Sequence, residues 1–298
     1  MTQVLLQPPP ARPAATATWR EQALVFDCQG EALVGVLSLP ATETDRCLVI
    51  VVGGPQYRAG SHRLFVQLAR AAAAGGIAAL RFDVRGMGDS SGAQRPFEAI
   101  GDDIAAALGA AQAAQPALKR FVLWGLCDGA SAALLYLDSH RDARIDGLCL
   151  VNPWVRSAQS QARTQVKHYY LQRLRQQEFW TKLLSGRVAW KALSGLALSL
   201  RAATQTAART PAAAPTYQDR MARGLERFTG PVLLVLSGED YTAREFEEYV
   251  AAQPHWQLLL ARPQLRRHDL QGADHTVSDS NQKGLLLATN LGWLAQLS

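Results

Sequence analysis

One of the four cysteines in this chain stands apart because of its neighbours. Cys127 occupies Gly125-Leu126-Cys127-Asp128-Gly129, preceded by the apolar run Phe121–Trp124 and followed by the small-residue stretch Ala130–Leu137. A buried strand that turns into a helix through Gly-x-Cys-x-Gly forms a nucleophile elbow, with cysteine where serine is usual. The turn is strained, and its glycines leave room for strand and helix to pack closely. It projects the thiol at the carboxyl edge of a sheet, where the helix N-terminus favours the thiolate. Ser131, four residues on, falls inside the helix and is assigned to packing.

A nucleophilic thiol needs a base, and the base needs an orienting acid. Around such an elbow they follow in the order nucleophile, acid, histidine. The strand-like Val232–Leu236 leads into Ser237-Gly238-Glu239-Asp240-Tyr241. Asp240 is favoured as the acid, since its shorter carboxylate would point back over the strand end, and Glu239 is the alternative. The histidines are His62, His140, His168, His255, His268 and His275. His268 sits in a strand-like run and reads as structural. His275, in the loop Gly272–Thr276 before the last helix, is where the base belongs.

An oxyanion needs backbone N–H donors aimed at the developing charge. The N–H of Asp128 supplies one. The other must come from Gly53-Gly54-Pro55-Gln56-Tyr57; Pro55 has no N–H, which leaves Gln56, slightly favoured, or Gly54. Arg58 and His62 are candidate substrate contacts or surface residues. Asp83 and Arg85 read as braces between loops.

These residues require a frame. Ala23–Phe26 and Ala32–Leu37 predict an early hairpin, and Cys47–Val52, Ile77–Phe82, Phe121–Trp124 and Ile145–Val151 predict further strands. Between them Leu64–Ala74, Phe97–Ala114 and Ala130–Leu137 have helical character, the alternation of an α/β sheet. Residues 157–229 lack strand signals and read as a helical, basic insertion. The rhythm resumes with Pro231–Leu236, Arg244–Gln253, Leu265–Asp269 and Gln282–Leu297. The expected domains are a flexible lead-in over 1–20, a core of 21–156 with 230–298, and a lid over 157–229.

A hydrophobic fraction of 48% suffices for a sizeable core in 298 residues. Cys28, Cys47 and Cys149 lie in apolar or strand-like settings and read as small buried hydrophobes rather than a disulfide framework or a metal site. The first eighteen residues lack a signal-peptide pattern, and no apolar run reaches about 18 residues, so a cytoplasmic location is expected. Net charge is +6, yet residues 155–229 carry thirteen basic and three acidic side chains. That asymmetry suits a lid with amphipathic helices around Val166–Leu174 and Trp190–Leu200, peripheral contact with an anionic inner membrane, or steering of an anionic substrate. Nucleic acid is a poor fit, with no recognition motif.

Gly53–Arg58, Gly60–Arg63, Arg81–Gly88, Trp124–Asp128, Ser237–Asp240 and Ala273–His275 together resemble the exosortase A system-associated hydrolase 1 family. The resemblance implies an α/β-hydrolase fold, a mostly parallel sheet of about eight strands flanked by helices, with a helical lid after the sixth. It also implies association with exopolysaccharide production and the exosortase sorting system of Gram-negative bacteria, but no substrate. Cys-His-Asp sets on this fold are similar to those of dienelactone hydrolase, polyhydroxyalkanoate synthase and bile-acid acyltransferases. The expected activity is ester or thioester hydrolysis through an acyl-cysteine on a small-molecule or carrier-linked acyl substrate, with no cofactor and no metal. An acyltransferase acting on a sugar, lipid or amine acceptor, and a non-catalytic membrane-adjacent binding protein, are the alternatives. Oligomeric state is left open.

Overall fold

The computed structural model describes residues 19–156 and 214–297. The chain enters through an antiparallel hairpin, β1 (Trp19–Cys28) and β2 (Glu31–Pro40), longer at both ends than the sequence pattern predicts. Its turn places Gln29 and Gly30 at φ of 56° and 82°. There follow β3 (Arg46–Val51), α1 (Leu64–Ala74), β4 (Ala78–Phe82), α2 (Gly101–Ala114), β5 (Arg120–Leu126), α3 (Asp128–Ser139) and β6 (Ile145–Val151). Beyond residue 213 come α4 (Tyr217–Arg227), β7 (Val232–Ser237), α5 (Tyr241–Ala251), α6 (Pro254–Leu260), β8 (Leu265–Leu270) and α7 (Ser280–Leu294).

The strands form one sheet in the order β1-β2-β4-β3-β5-β6-β7-β8. β2 is antiparallel to β1 and β4, and every pairing from β4 across to β8 is parallel. β3, β4 and β7 are buried along their whole length, as expected of parallel strands covered on both faces. β8, at one edge, carries Arg266, Arg267 and Asp269, charges that discourage pairing with a foreign strand. The parallel arrangement sends the carboxyl ends of β3 to β8 to one edge. Loops far apart in sequence therefore meet there.

Trp124 anchors this frame. Its buried indole donates to Asn290 Oδ1 of α7 at 2.9 Å and meets the Phe65 ring of α1 edge-on at 5.6 Å. The strand that delivers the elbow is thus locked from one face by two helices.

The chain divides into two compact units, residues 1–154 with 217–298, and residues 155–216. The insertion expected over 157–229 therefore ends earlier than its composition implies. α4 belongs to the same unit as the sheet and packs on α3. Gly224 lies so close to the Leu134 carbonyl that a Cβ there would collide with it. Arg220, Arg223 and Arg227 converge on the Asp138 carboxylate at 3.3, 2.8 and 3.2 Å. The Arg223 bond, foremost, holds that carboxyl below its ordinary range. Three of the basic residues attributed to the insertion thus fasten a core helix. The amphipathic helices expected around Val166–Leu174 and Trp190–Leu200 lie outside the described residues. Among the described residues, no helix is long and apolar enough to cross a membrane.

A buried ion pair braces the loop after β4. Arg85 donates through Nε and Nη2 to Asp103 at 2.8 and 3.0 Å, and the two residues are 1% and 0% exposed. Replacing Arg85 with methionine strands a buried carboxylate and should cost about 3–5 kcal/mol in urea titrations. Arg120→Met, which breaks an exposed pair with Asp45, should cost no more than about 1 kcal/mol. Equal losses for the two variants would show that the buried pair carries no special weight.

Candidate active site

Cys127 sits between β5 and α3 with φ 60° and ψ −126°, a conformation disfavoured for any residue with a side chain. Its neighbours make the turn feasible. A Cβ on Gly125 would collide with the backbone of Gly129 and Ala130, and one on Gly129 with the Val51 carbonyl. The Cys127 N–H donates to Val151 O at 2.9 Å, and its carbonyl accepts from Ala130 N and Trp154 N. Cys28, Cys47 and Cys149 are buried, and burial pushes the Cys47 thiol up to about 12. Cys127 alone of the four is partly exposed. Ser131 is spent on the Trp154 carbonyl at 2.7 Å.

The acid loop distinguishes its two carboxylates by burial. Asp240 is 3% exposed, whereas the Glu239 side chain is 67% exposed and faces Arg244. One Asp240 oxygen caps α5 by accepting from Thr242 N at 2.9 Å; the other meets His275 Nδ1 at 2.8 Å. The helix predicted from Arg244 starts earlier, at Tyr241, because this carboxylate satisfies its first turn. On its other side the ring of His275 lies within the influence of Cys127, which helps to raise its pKa. Asp240, His275 and Cys127 are therefore brought together in one line of contacts, and Glu239 is not part of it.

Two features hold the histidine. Glu239 N donates to Ala273 O at 3.0 Å, which ties the acid loop to the histidine loop. The Asp274 carboxylate accepts from Thr276 N and Ser278 N, each at 3.0 Å, and from both hydroxyls. This winds residues 274–278 so tightly that Val277 is forced to φ 49°. Sequence reasoning missed this role of Asp274, although an aspartate followed by hydroxyl residues two and four positions on is a recognisable turn signal. It also missed Asn152, whose side chain bonds Ser237 N at 2.8 Å and Oγ at 3.0 Å and joins the ends of β6 and β7.

On the other flank, the loop after β3 approaches the elbow. Gly53 lies against Asp128, Gly129 and Leu126 with no space for a Cβ. The Gln56 side chain accepts from Ser61 N and Oγ, at 3.1 and 3.3 Å, which fixes the loop around its backbone N–H. Arg58, a candidate substrate contact, is instead engaged within the fold. Its N–H and guanidinium bind buried Asp83, and Nη2 reaches Asp89 at 2.6 Å. Asp83 thus braces the loops after β3 and β4, as the sequence pattern predicts. His62 is exposed at φ 51°, and its carbonyl accepts from Lys283 Nζ at 3.4 Å. The side chain of Asp128, read from sequence only for its N–H, turns toward this loop. Its Oδ1 is buried without a hydrogen-bond partner.

The family model described as "Alpha/beta hydrolase family" matches residues 48–286. No curated protein matches the chain. Among solved structures, the chain is similar to the esterase Pf2001 of Pyrococcus furiosus, with 14% identity, a TM-score of 0.63, and 100% of this chain and 99% of that one covered. It is also similar to Est1E from Butyrivibrio proteoclasticus, solved with ferulic acid bound, at 15% identity and a TM-score of 0.59, covering 92% and 99%. An alpha-beta serine hydrolase homologue from Coxiella burnetii gives 15% identity and a TM-score of 0.57, covering 92% and 97%. At such identities the structural likeness establishes the fold alone.

The electrostatics of the histidine carry a pH signature. The bond to Asp240, foremost, and then the influence of Cys127 raise the ring from its ordinary 6.5 to about 10 against the opposing effect of burial. The folded chain therefore binds this proton more tightly than the unfolded one. The stabilisation is complete below about pH 6.5 and is lost as pH rises through about 10. In thermal melts, Asp240→Asn should fall furthest below wild type at about pH 6 and approach it near pH 10. A gap independent of pH would mean that Asp240 does not hold the ring charged. Glu239→Gln should melt with the wild type throughout.

Proposed function

The chain belongs to the Alpha/beta hydrolase family, and on that premise we propose that it is an ester or thioester hydrolase working through an acyl-cysteine. The observation that carries this reading is the placement of the His275 ring between the Asp240 carboxylate and the Cys127 thiol. Nδ1 faces Asp240, so Nε2 is the nitrogen free to exchange a proton at the thiol. A ring held positive favours a resting thiolate–imidazolium pair over a neutral thiol awaiting a base.

The chemistry follows from that pair. The Cys127 thiolate adds to the acyl carbon, and the carbonyl oxygen takes the charge beside the N–H of Asp128 and a donor of the Gly54–Gln56 loop. As the bond from carbon to the leaving oxygen or sulfur breaks, His275 Nε2–H protonates that atom. The now neutral ring takes a proton from water, whose oxygen attacks the thioester carbon. Cleavage of the carbon–sulfur bond returns the acid product and the thiolate–imidazolium pair. Asp240 fixes the tautomer and balances the ring's charge throughout.

Likeness in fold to Pf2001 and Est1E supports an ester-type substrate. The resemblance to the exosortase A system-associated hydrolase 1 family, carried by the motifs around Gly53–Arg63 and Trp124–Asp128, is what suggests the exopolysaccharide and exosortase context.

The decisive measurement is intact mass after mixing the protein with p-nitrophenyl esters and acyl-CoAs of graded chain length. Wild type should gain one acyl group on Cys127, and Cys127→Ala none. Asp240→Asn should acylate about 10²–10⁴-fold more slowly. Labelling of Cys127→Ala equal to that of wild type would remove the nucleophile from the scheme. An adduct that persists in water and clears only on addition of an amine or sugar would assign the second half-reaction to transfer.

A further inference from the structure

The side chain of Asp128 is not needed for the scheme above, which uses only its N–H. Its position nevertheless lies where that scheme places the acyl oxygen. The carboxyl stands over Gly53, and a Cβ on that glycine would strike Oδ1 directly. The backbone amides of Gly54, Asp128 and Gly129 are turned toward it. Two of these, Gly54 and Asp128, are amides nominated for the oxyanion hole. Yet Oδ1, shielded from solvent, meets none of them in hydrogen-bonding geometry.

An ionised oxygen held dry without a partner is costly. A neutral acid avoids that cost and brings an O–H donor to the place where charge develops. Resting on the acyl-cysteine reading, we propose that Asp128 is a catalytic residue that works as a neutral acid. Its carboxyl O–H donates to the carbonyl oxygen of the bound acyl group, beside its own backbone N–H. The proton stays on Asp128 through attack and collapse, so the atom balance of both half-reactions is unchanged. A carboxylic acid kept neutral by its site to serve as an oxyanion donor is an established chemical device.

The surroundings agree. Burial, the foremost influence, pushes the Asp128 carboxyl above its ordinary range, against the pull of the three amides and of the His275 charge. Among the described residues, His275 is the charged group that acts on it. Of the two arginines between β3 and α1, Arg58 is held by Asp83 and Asp89, and Arg63 is exposed at the head of α1. The histidine loop brings His275, and the elbow brings Cys127. Ionisation of Asp128 would place a second negative charge beside the thiolate and oppose the oxyanion.

The proposal predicts a decline in acylation as pH rises out of the acid range. Thiol ionisation cannot produce such a decline, since it works in the opposite sense. Loss of the His275 proton comes only toward about 10.

The test is single-turnover acylation by p-nitrophenyl butyrate across pH, with iodoacetamide alkylation of Cys127 as a parallel measure of the elbow. Asp128→Ala should acylate at least tenfold more slowly at acid pH while alkylating at the wild-type rate. Asp128→Asn keeps a donor and cannot ionise; it should recover most of that loss and abolish the decline with pH. Acylation of Asp128→Ala as fast as wild type, equal losses in both variants, or a parallel fall in alkylation would overturn the role. Any of these results would leave the acyl-cysteine reading intact as long as wild type acylates. Absence of an adduct on wild-type Cys127 would instead sink both.

Discussion

The site depends on a single backbone reversal at Cys127. Holding a residue with a Cβ at φ 60° and ψ −126° costs of order 1–3 kcal/mol, and the bonds to its carbonyl from Ala130 and Ser131 are no more than any helix start provides. The compensation comes from outside the turn: main-chain bonds to Val151 and Trp154 and the buried indole of Trp124 behind the strand. Gly125, Gly129 and Gly53 are the points where the chains approach too closely for any side chain. Were the sheet less rigid, the elbow would relax and the thiol would leave the edge where the other loops meet.

A comparable economy governs the opposite flank. Asp240 both caps α5 and holds His275, so the helix and the histidine share one carboxylate. Its two oxygens are committed to different partners, and it has little freedom to rotate away. Asp274 imposes a tight turn on the following residues and forces strain onto Val277, which is fully buried and held there by packing. Both arrangements trade local comfort for a ring that cannot wander.

Residues defined by order and by strand ends were legible in the sequence. Cys127, Asp240 and His275 each follow or flank an element whose periodicity is plain, and the parallel sheet does the rest. Properties set by distant partners were not legible. Arg58 reads as an exposed loop cation until buried Asp83, twenty-five positions on, engages it. α4 has the charge and periodicity of a lid helix, and only Asp138 on α3 reveals it as part of the core. The choice between Asp240 and Glu239 rests on which carboxylate is buried, and that belongs to the fold. The Asp128 side chain escaped notice because its backbone N–H already gave the position a purpose.

The strength of the Asp240–His275 pair bears on why cysteine suits this elbow. A serine nucleophile needs a neutral ring to accept its proton during attack. A ring raised to about 10 by Asp240 and the Cys127 thiol together is matched instead to a nucleophile that gives up its proton beforehand. A thiol gives up its proton far more readily than a serine hydroxyl, which is why the proposed cycle starts from a thiolate beside a charged ring. In the proposed cycle the ring then acts first as an acid toward the leaving group. In that proposed resting state thiolate, imidazolium and the Asp240 carboxylate together carry one net negative charge. Another beside the acyl oxygen would oppose the very anion that attack creates. That net charge opposes ionisation of Asp128 in the same direction as its burial, against the pull of the backbone amides and of the His275 ring.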